Sequence, residues 1–255
     1  MDARILELLN DMEPITLEQM SSIRLMNRTD TKFVTNKTQL VRLLQHAQGK
    51  YYAQVNNEGK RVATYRTIYW DTEEHRFYLE HHNGRAPRQK VRIRTYMDSG
   101  VTFLEVKTKN NHARTKKKRI EIPAPDRWNE VGGNEFVDGL VHAEMQEMRP
   151  TVQNLFNRIT LVNHAKTERL TIDFNVQFKN FETNQDCGTG ELVIIELKRD
   201  GNQYSPVLDI LRKLRVKPSG FSKYCIGSLM TNDALKRNMF REKLVTINKL
   251  VNNTY

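Results

Sequence analysis

Apolar residues in this chain follow two rhythms. Ile5, Leu6, Leu8, Leu9 and Met12 recur at helical spacing and predict a helix over 2–12, with a second over 15–26. A strand follows from Arg28 to Thr35. Asn36 or Thr38 then caps a helix that runs to about Gln48 and buries Leu40, Val41, Leu43 and Leu44. After the turn at 56–60 the rhythm changes to period two. Strands are expected at 62–71, 75–82, 88–97, 101–109 and 115–122, joined by short connections such as Asn83-Gly84 and Asp98-Ser99-Gly100. A helix at 134–148, ended by Pro150, separates these from strands at 155–164, 169–178 and 191–198. Helices from Pro206 to about Arg215, at 222–231 and at 233–251 finish the chain. There is no internal repeat and no long linker. The expectation is a single α+β domain over 1–255 with antiparallel strands, flanked by helices at about 1–26 and 222–251.

The polar phase of the strands is unusual in its chemistry. Side chains two apart on a strand share a face. Arg28, Asp30 and Lys32 therefore line up, as do Lys90, Arg92 and Arg94, and Glu105, Lys107 and Lys109. Arg114, Lys116 and Lys118 form a fourth row, Arg169, Thr171 and Asp173 a fifth, and Glu196 with Lys198 a sixth. A single such row reads as a solvated sheet face. Six rows, with several helices available to cover the apolar side, point instead to a curled sheet with cations around a lumen. Unpaired interior cations repel and lose hydration, so such a lumen needs a polyanion, and removing Arg92 or Lys107 is expected to relieve repulsion. Arg and Lys both suit phosphate oxygens. Asp30, Glu105 and Glu196 offer the hard oxygen ligands that Mg2+ or Mn2+ prefers.

Composition narrows the partner. Among 255 residues, 41 Lys and Arg against 30 Asp and Glu give a formal charge of +11, which attracts anions. No apolar run approaches the ~20 residues that span a bilayer. Residues 1–12 lack a signal-peptide layout, so a soluble, cytoplasmic protein is expected. Cys187 and Cys225 have no metal-type spacing. The glycine-rich nucleotide loops are absent. His81 and His82, adjacent on an expected strand, would point apart and make no zinc pair. Ser222 has no local base and reads as a hydrogen-bonding hydroxyl. The basic run 110–119 lacks aromatics for base stacking, so no nucleic-acid partner is expected. The stretch from Lys236 to Leu250 reads as a surface helix.

Several segments, in order, resemble the vacuolar transporter chaperone (VTC) branch of the triphosphate tunnel metalloenzymes. They are Thr29-Asp30-Thr31-Lys32-Phe33, Tyr69-Trp70-Asp71-Thr72, Lys90 to Tyr96, Phe103 to Lys109, Asn157-Arg158-Ile159-Thr160, Arg169 to Asp173, Ile195 to Lys198 and Phe221-Ser222-Lys223-Tyr224. The resemblance implies an eight-stranded antiparallel β-tunnel wrapped by helices. It also implies a polyphosphate polymerase that passes the γ-phosphate of ATP to a growing chain with Mn2+ or Mg2+. Lys32, Arg92, Arg94, Lys107, Lys118, Arg158, Arg169, Lys198 and Lys223 fall on phosphate-binding positions, with Ser222 beside the last and Glu196 on the metal position. The expected ligands are ATP and inorganic polyphosphate or triphosphate; a non-catalytic binding module and a triphosphatase are the alternatives. Some active members carry a basic residue before Phe-Ser-Lys, where this chain has Gly220, with Lys217 nearby. Eukaryotic members also carry an inositol-phosphate-sensing domain and membrane helices. Any membrane coupling is accordingly expected through a partner protein in trans.

Overall fold

The structure, a computed structural model, describes residues 3–21, 23, 28–111, 115–201 and 203–252. Expectations for 24–26, for Arg114 and for the rest of 112–114 lie outside the described residues, as does the side chain of Arg28. Helix α1 (Ala3–Asn10), the short strand β1 (Pro14–Thr16) and helix α2 (Leu17–Ser21) open the chain. Strand β2 (Arg28–Asn36) leads into α3 (Lys37–Ala47), where the Asn36 side chain accepts the Gln39 N–H and caps the helix. Then come β3 (Tyr51–Val55), β4 (Ala63–Thr72), α4 (Arg76–His82), β5 (Arg88–Tyr96), β6 (Thr102–Lys109) and β7 (Thr115–Ile122). Helix α5 (Gly133–Asp138) sits between two single 3-10 turns. It is followed by β8 (Met148–Asn163), β9 (Glu168–Asn180), β10 (Asp186–Gly188) and β11 (Leu192–Asp200). Helices α6 (Pro206–Lys213), α7 (Lys223–Thr231) and α8 (Arg241–Asn252) complete the order.

All strands join one eleven-stranded sheet whose main path has eight members, β2-β11-β9-β8-β4-β5-β6-β7. Every neighbour on that path is antiparallel. The short strands β1, β3 and β10 are additions beside it. Among the described residues the end strands β2 and β7 are not hydrogen-bonded to each other, so the sheet is curled but not closed. Part of the edge of β2 is occupied by the segment before α7: Ser219 donates its N–H to the Lys32 carbonyl, and Phe33 bridges Pro218.

Burial explains the curl. The outward faces of β2, β11, β9 and β8 carry Phe33, Ile195, Leu197, Leu170, Ile172 and Leu161, which pack under α1, α3 and α6. The outward faces of β5 and β6 carry Val91, Ile93, Leu104 and Val106, which pack with Phe77 of α4 and Val137 of α5. Apolar surface is thus removed from water on the outside of the sheet, leaving the polar phase on the concave side. Helix α7 lies on that concave side at one end, where Tyr224, Cys225, Ile226 and Leu229 pack with Tyr69, Val152, Val176, Phe178 and Ile194. The fit is tight: a side chain at Gly227 would run into the Phe178 ring.

Four expected elements differ, the last helix beginning only at Arg241 rather than at 233. Residues 75–82 form a helix rather than a strand, because buried Asp71 accepts the backbone N–H groups of Phe77 and Tyr78 and holds the first turn. The helix expected at 134–148 is only α5 and a 3-10 turn, and β8 already begins at Met148. The second amino-terminal helix is preceded by β1, which pairs in parallel with the unforeseen β3. No helix among the described residues is long and apolar enough to cross a membrane.

Candidate functional site

Residues directly opposite one another in an antiparallel pair share a face. The register therefore builds the concave wall strand by strand. On one side it aligns Lys90 with Lys107, Arg92 with Glu105 and Arg94 with Phe103. Arg92 and Arg94 lie beside Tyr69 and Thr67 of β4. Continuing through β8, Arg158 faces Asp173 of β9, and Thr171 and Arg169 of β9 face Glu196 and Lys198 of β11, which face Lys32 and Asp30 of β2.

Electrostatics shows that this wall encloses a common space. Lys107 of β6 and Glu196 of β11 are five places apart along the sheet. On a flat sheet that is about 24 Å. Yet the Glu196 and Lys32 charges both bear on Lys107. Lys90 of β5 likewise reaches across to donate to Ser222 Oγ at 2.9 Å, and Lys32 Nζ donates to the Phe221 carbonyl at 2.9 Å. Lys32, Lys90, Arg92, Lys107, Lys198, Glu196, Ser222 and Lys223 thus surround one lumen, with the amino-terminal turn of α7 directed into it.

The charges divide into two kinds. Arg158 makes a two-pronged pair with Asp173 at 2.5 and 2.7 Å, and Lys223 pairs with the same carboxylate. Burial alone would raise the Asp173 pKa, but Arg158 and Lys223 outweigh it and hold the group well below the carboxylate range. Lys198 sits between Glu196 at 2.7 Å and Asp30 at 3.4 Å. Glu196 is likewise held ionised, burial being overcome by Lys32, Lys198 and Lys107. On the other side Glu105, 1% exposed, pairs with Arg92 at 2.6 Å and Lys117 at 3.1 Å, and these with Arg94 hold its pKa at about 2 against burial. The remaining cations there lack acids. Burial first, then neighbouring Arg92 and Arg158, pushes Arg94 down to about 10. Burial, Lys32 and arginine neighbours push Lys90 down to about 8, the nearby Cys225 opposing them. Lys107 makes no hydrogen bond or ion pair among the described residues, and burial with Arg92 and Lys32 pushes it down to about 7. Lys223, despite Asp173, is pushed by burial to about 8.

Two buried polar groups on the wall also lack partners among the described residues, the Asn154 amide and the Thr171 hydroxyl. Buried polar groups are normally bonded, so these and the acid-free cations mark a space suited to a polar, anionic occupant.

The structure corrects three sequence expectations. Lys118 lies opposite Val106 and so faces away from the lumen; Lys117 and Arg119, opposite Lys107 and Glu105, take the inward positions. A strand's facing flips with a one-residue slip, and the register of β7 against β6 differs by that one residue from the expectation. Glu105 does not fit a metal site, since Arg92 and Lys117 already occupy its two oxygens. Arg92 is not a lone repelling cation but the partner of Glu105. Glu196 and Asp30 are the remaining acids that could hold a divalent ion, in place of Lys198. They converge on one ammonium, and Mg2+-type ions commonly take one or two carboxylates plus phosphate oxygens. Among the described residues no group of three or more His, Cys, Asp or Glu could hold a metal unaided. His81 and His82 lie on α4, where His81 Nδ1 meets Cys225 Sγ at 3.1 Å and His82 accepts the Met239 N–H.

Tyr69, which the sequence places only within a family-like segment and gives no site role, also stands on the wall beside Arg92. Tyr69 would be raised by burial, but Arg92, Arg94 and Lys223 outweigh this and lower its phenol. Parity with Thr67 beside Arg94 is the signal that places it. At Gly220 an added Cβ would stand 3.4 Å from Lys243 Nζ, so Lys243 of α8 brings a cation to that position.

Comparison with known proteins adds the family. The VTC domain model matches residues 27–232. No curated protein matches in sequence. Among solved structures, a putative adenylate cyclase from Vibrio parahaemolyticus is 10% identical with a TM-score of 0.46, covering 80% of this chain and 99% of its own. The putative adenylyl cyclase HpAC1 from Hippeastrum, described as having a dominant triphosphatase activity, is 14% identical with a TM-score of 0.46, covering 81% and 97%. The PH1819 protein of Pyrococcus horikoshii OT3 is 15% identical with a TM-score of 0.45, covering 79% and 96%.

Proposed function

The chain belongs to the VTC domain family, and on that premise we propose that it is a metal-dependent polyphosphate polymerase that moves the γ-phosphate of ATP onto a polyphosphate chain held in the lumen. The observation that carries this reading is the acid-free cluster of Lys90, Arg94 and Lys107 facing the paired Glu196 and Asp30 across one space. Phosphoryl transfer needs little covalent chemistry from a protein. It needs donor and acceptor held in line, with the charge on the equatorial oxygens neutralised. Arg92 and Arg94 offer planar donors to phosphate oxygens, and Lys90, Lys107, Lys32 and Lys223 act as point charges. Arg158, Arg169 and Lys198 extend the cradle towards the far wall. Ser222, the cap of α7, orients Lys90 through its hydroxyl and keeps the first-turn N–H groups of the helix directed at the anion. Glu196 and Asp30 would hold Mn2+ or Mg2+, which supplies further neutralisation of phosphate charge.

One observation favours a second reading. Helix α7 fills the concave side at one end of the lumen, which suits a short triphosphate cleaved by water better than a long threaded chain. Incubation with ATP and Mn2+ or Mg2+, followed by gel analysis and a phosphate assay, separates the readings. A polymer ladder supports the polymerase. Free phosphate without polymer supports hydrolysis, and binding without either product supports a non-catalytic module.

A further inference from the structure

The rim of the lumen differs on its two sides. On the β2-β11-β9 side it is ionic, with Asp30, Lys198 and Arg169. On the β5-β6-β7 side it is aromatic. Phe103 and Tyr96, both half-buried, meet edge-on with centroids 5.9 Å apart, and the exposed Arg119 places its guanidinium 4.1 Å from the centre of the Phe103 ring. Phe103 lies opposite Arg94, and Arg119 lies opposite Glu105, which itself lies opposite Arg92. Arg119 is therefore two strand spacings from Arg92, about 10 Å, a distance that a triphosphate and a ribose bridge comfortably.

An inorganic polyanion has no use for such a rim. Aromatic rings and a guanidinium stacked on one of them are groups that take up the flat face of a nucleobase. Glu121, opposite Phe103 on the same face and without a hydrogen bond or ion pair among the described residues, adds an acceptor suited to a base's amino group. We propose that Phe103 and Arg119, with Tyr96 and Glu121 beside them, form the subsite for the base of a nucleoside triphosphate whose phosphates lie along Arg94 and Arg92. The inference rests on the lumen being a triphosphate cradle, and it gives the donor a direction: base at the rim, terminal phosphate inward, towards Lys107 and Glu196.

The test measures ATP and tripolyphosphate binding to the wild type, to Phe103→Leu and to Arg119→Gln by titration calorimetry. The charge difference between the two ligands cancels when each is compared across proteins. Stacking a base is worth roughly tenfold or more in affinity, so Phe103→Leu weakens ATP by about that factor and leaves tripolyphosphate within about twofold. Retained tripolyphosphate binding also reports that the variant is folded. Arg119→Gln removes one charge and therefore weakens both ligands, but ATP by the larger factor. Equal losses for the two ligands in both variants, or no loss for ATP, overturn the subsite and leave the cradle standing. A wild type that binds neither ligand overturns the cradle and the subsite together.

Discussion

The two sides of the lumen solve opposite problems. On the β8-β9-β11 side the acids are shared among cations: Arg158 and Lys223 share Asp173, and Lys198 lies between Glu196 and Asp30. On the β5-β6 side Glu105 is the acid present, and among the described residues Lys90, Arg94 and Lys107 pair with no acid. The first side is electrostatically complete without a ligand and contributes to a stable empty fold. The second is incomplete, and its repulsion is what a polyanion relieves on binding. A cation's neighbours, not its position in the lumen, therefore decide whether removing it harms the fold or the binding.

The largest test concerns the acids that serve different ends within the paired side. Glu196→Gln is expected to keep tripolyphosphate affinity but to lose metal-dependent ATP turnover on the order of a thousandfold, followed by steady-state assay. Undiminished turnover removes Glu196 from the chemistry. Asp173→Asn instead leaves Arg158 and Lys223 buried without their carboxylate, and is expected to cost about 3–5 kcal/mol in urea unfolding. A cost below ~1 kcal/mol would break the comparison, because the paired side would then owe nothing to its pairs. Arg92→Met strands the Glu105 carboxylate with Lys117 alone and is expected to cost ~2 kcal/mol, contrary to relief of repulsion. Lys107→Met, on the same strand pair, is expected to leave unfolding unchanged or slightly improved while weakening tripolyphosphate about tenfold by calorimetry.

The smallest effect is with pH, and its sign follows from the lysines. Lys107 at about 7, and Lys90 and Lys223 at about 8, lie below the ordinary lysine value of 10.5. As pH rises above about 7 the unfolded chain keeps these protons while the folded protein sheds them, so the stability of the free protein rises towards pH 10. Tripolyphosphate affinity moves the other way and falls through pH 7–8, because binding must return the protons. Calorimetry near pH 8 in buffers of different ionisation enthalpy should register net proton uptake; none, or release, contradicts the pairing scheme.

Much of this architecture is legible in the residues because period-two patterning is local. Lys90, Arg92 and Arg94 share a face with Val91 and Ile93 behind them, and the structure has them so. What is not legible depends on distant partners. The face of Lys117 or Lys118 depends on the register of β7 against β6, and one residue inverts it. The segment Arg76–His82 alternates like a strand, and the group that makes it a helix, Asp71, lies outside it and is itself fixed by the Tyr224 hydroxyl 153 residues away. That Glu105 is clasped rather than free for a metal follows from Lys117, a residue on another strand.

The central claim is that the β5-β6 side is held incomplete for a polyanion to complete. It is tested most directly by the melting temperature with tripolyphosphate, at constant ionic strength, of the wild type and Lys107→Met. A ligand that binds only the folded state at a hundred times its Kd adds about 2.7 kcal/mol, so the wild type should melt several degrees higher with the ligand and the variant should gain distinctly less. No rise for the wild type, or the same rise for both proteins, would contradict the account.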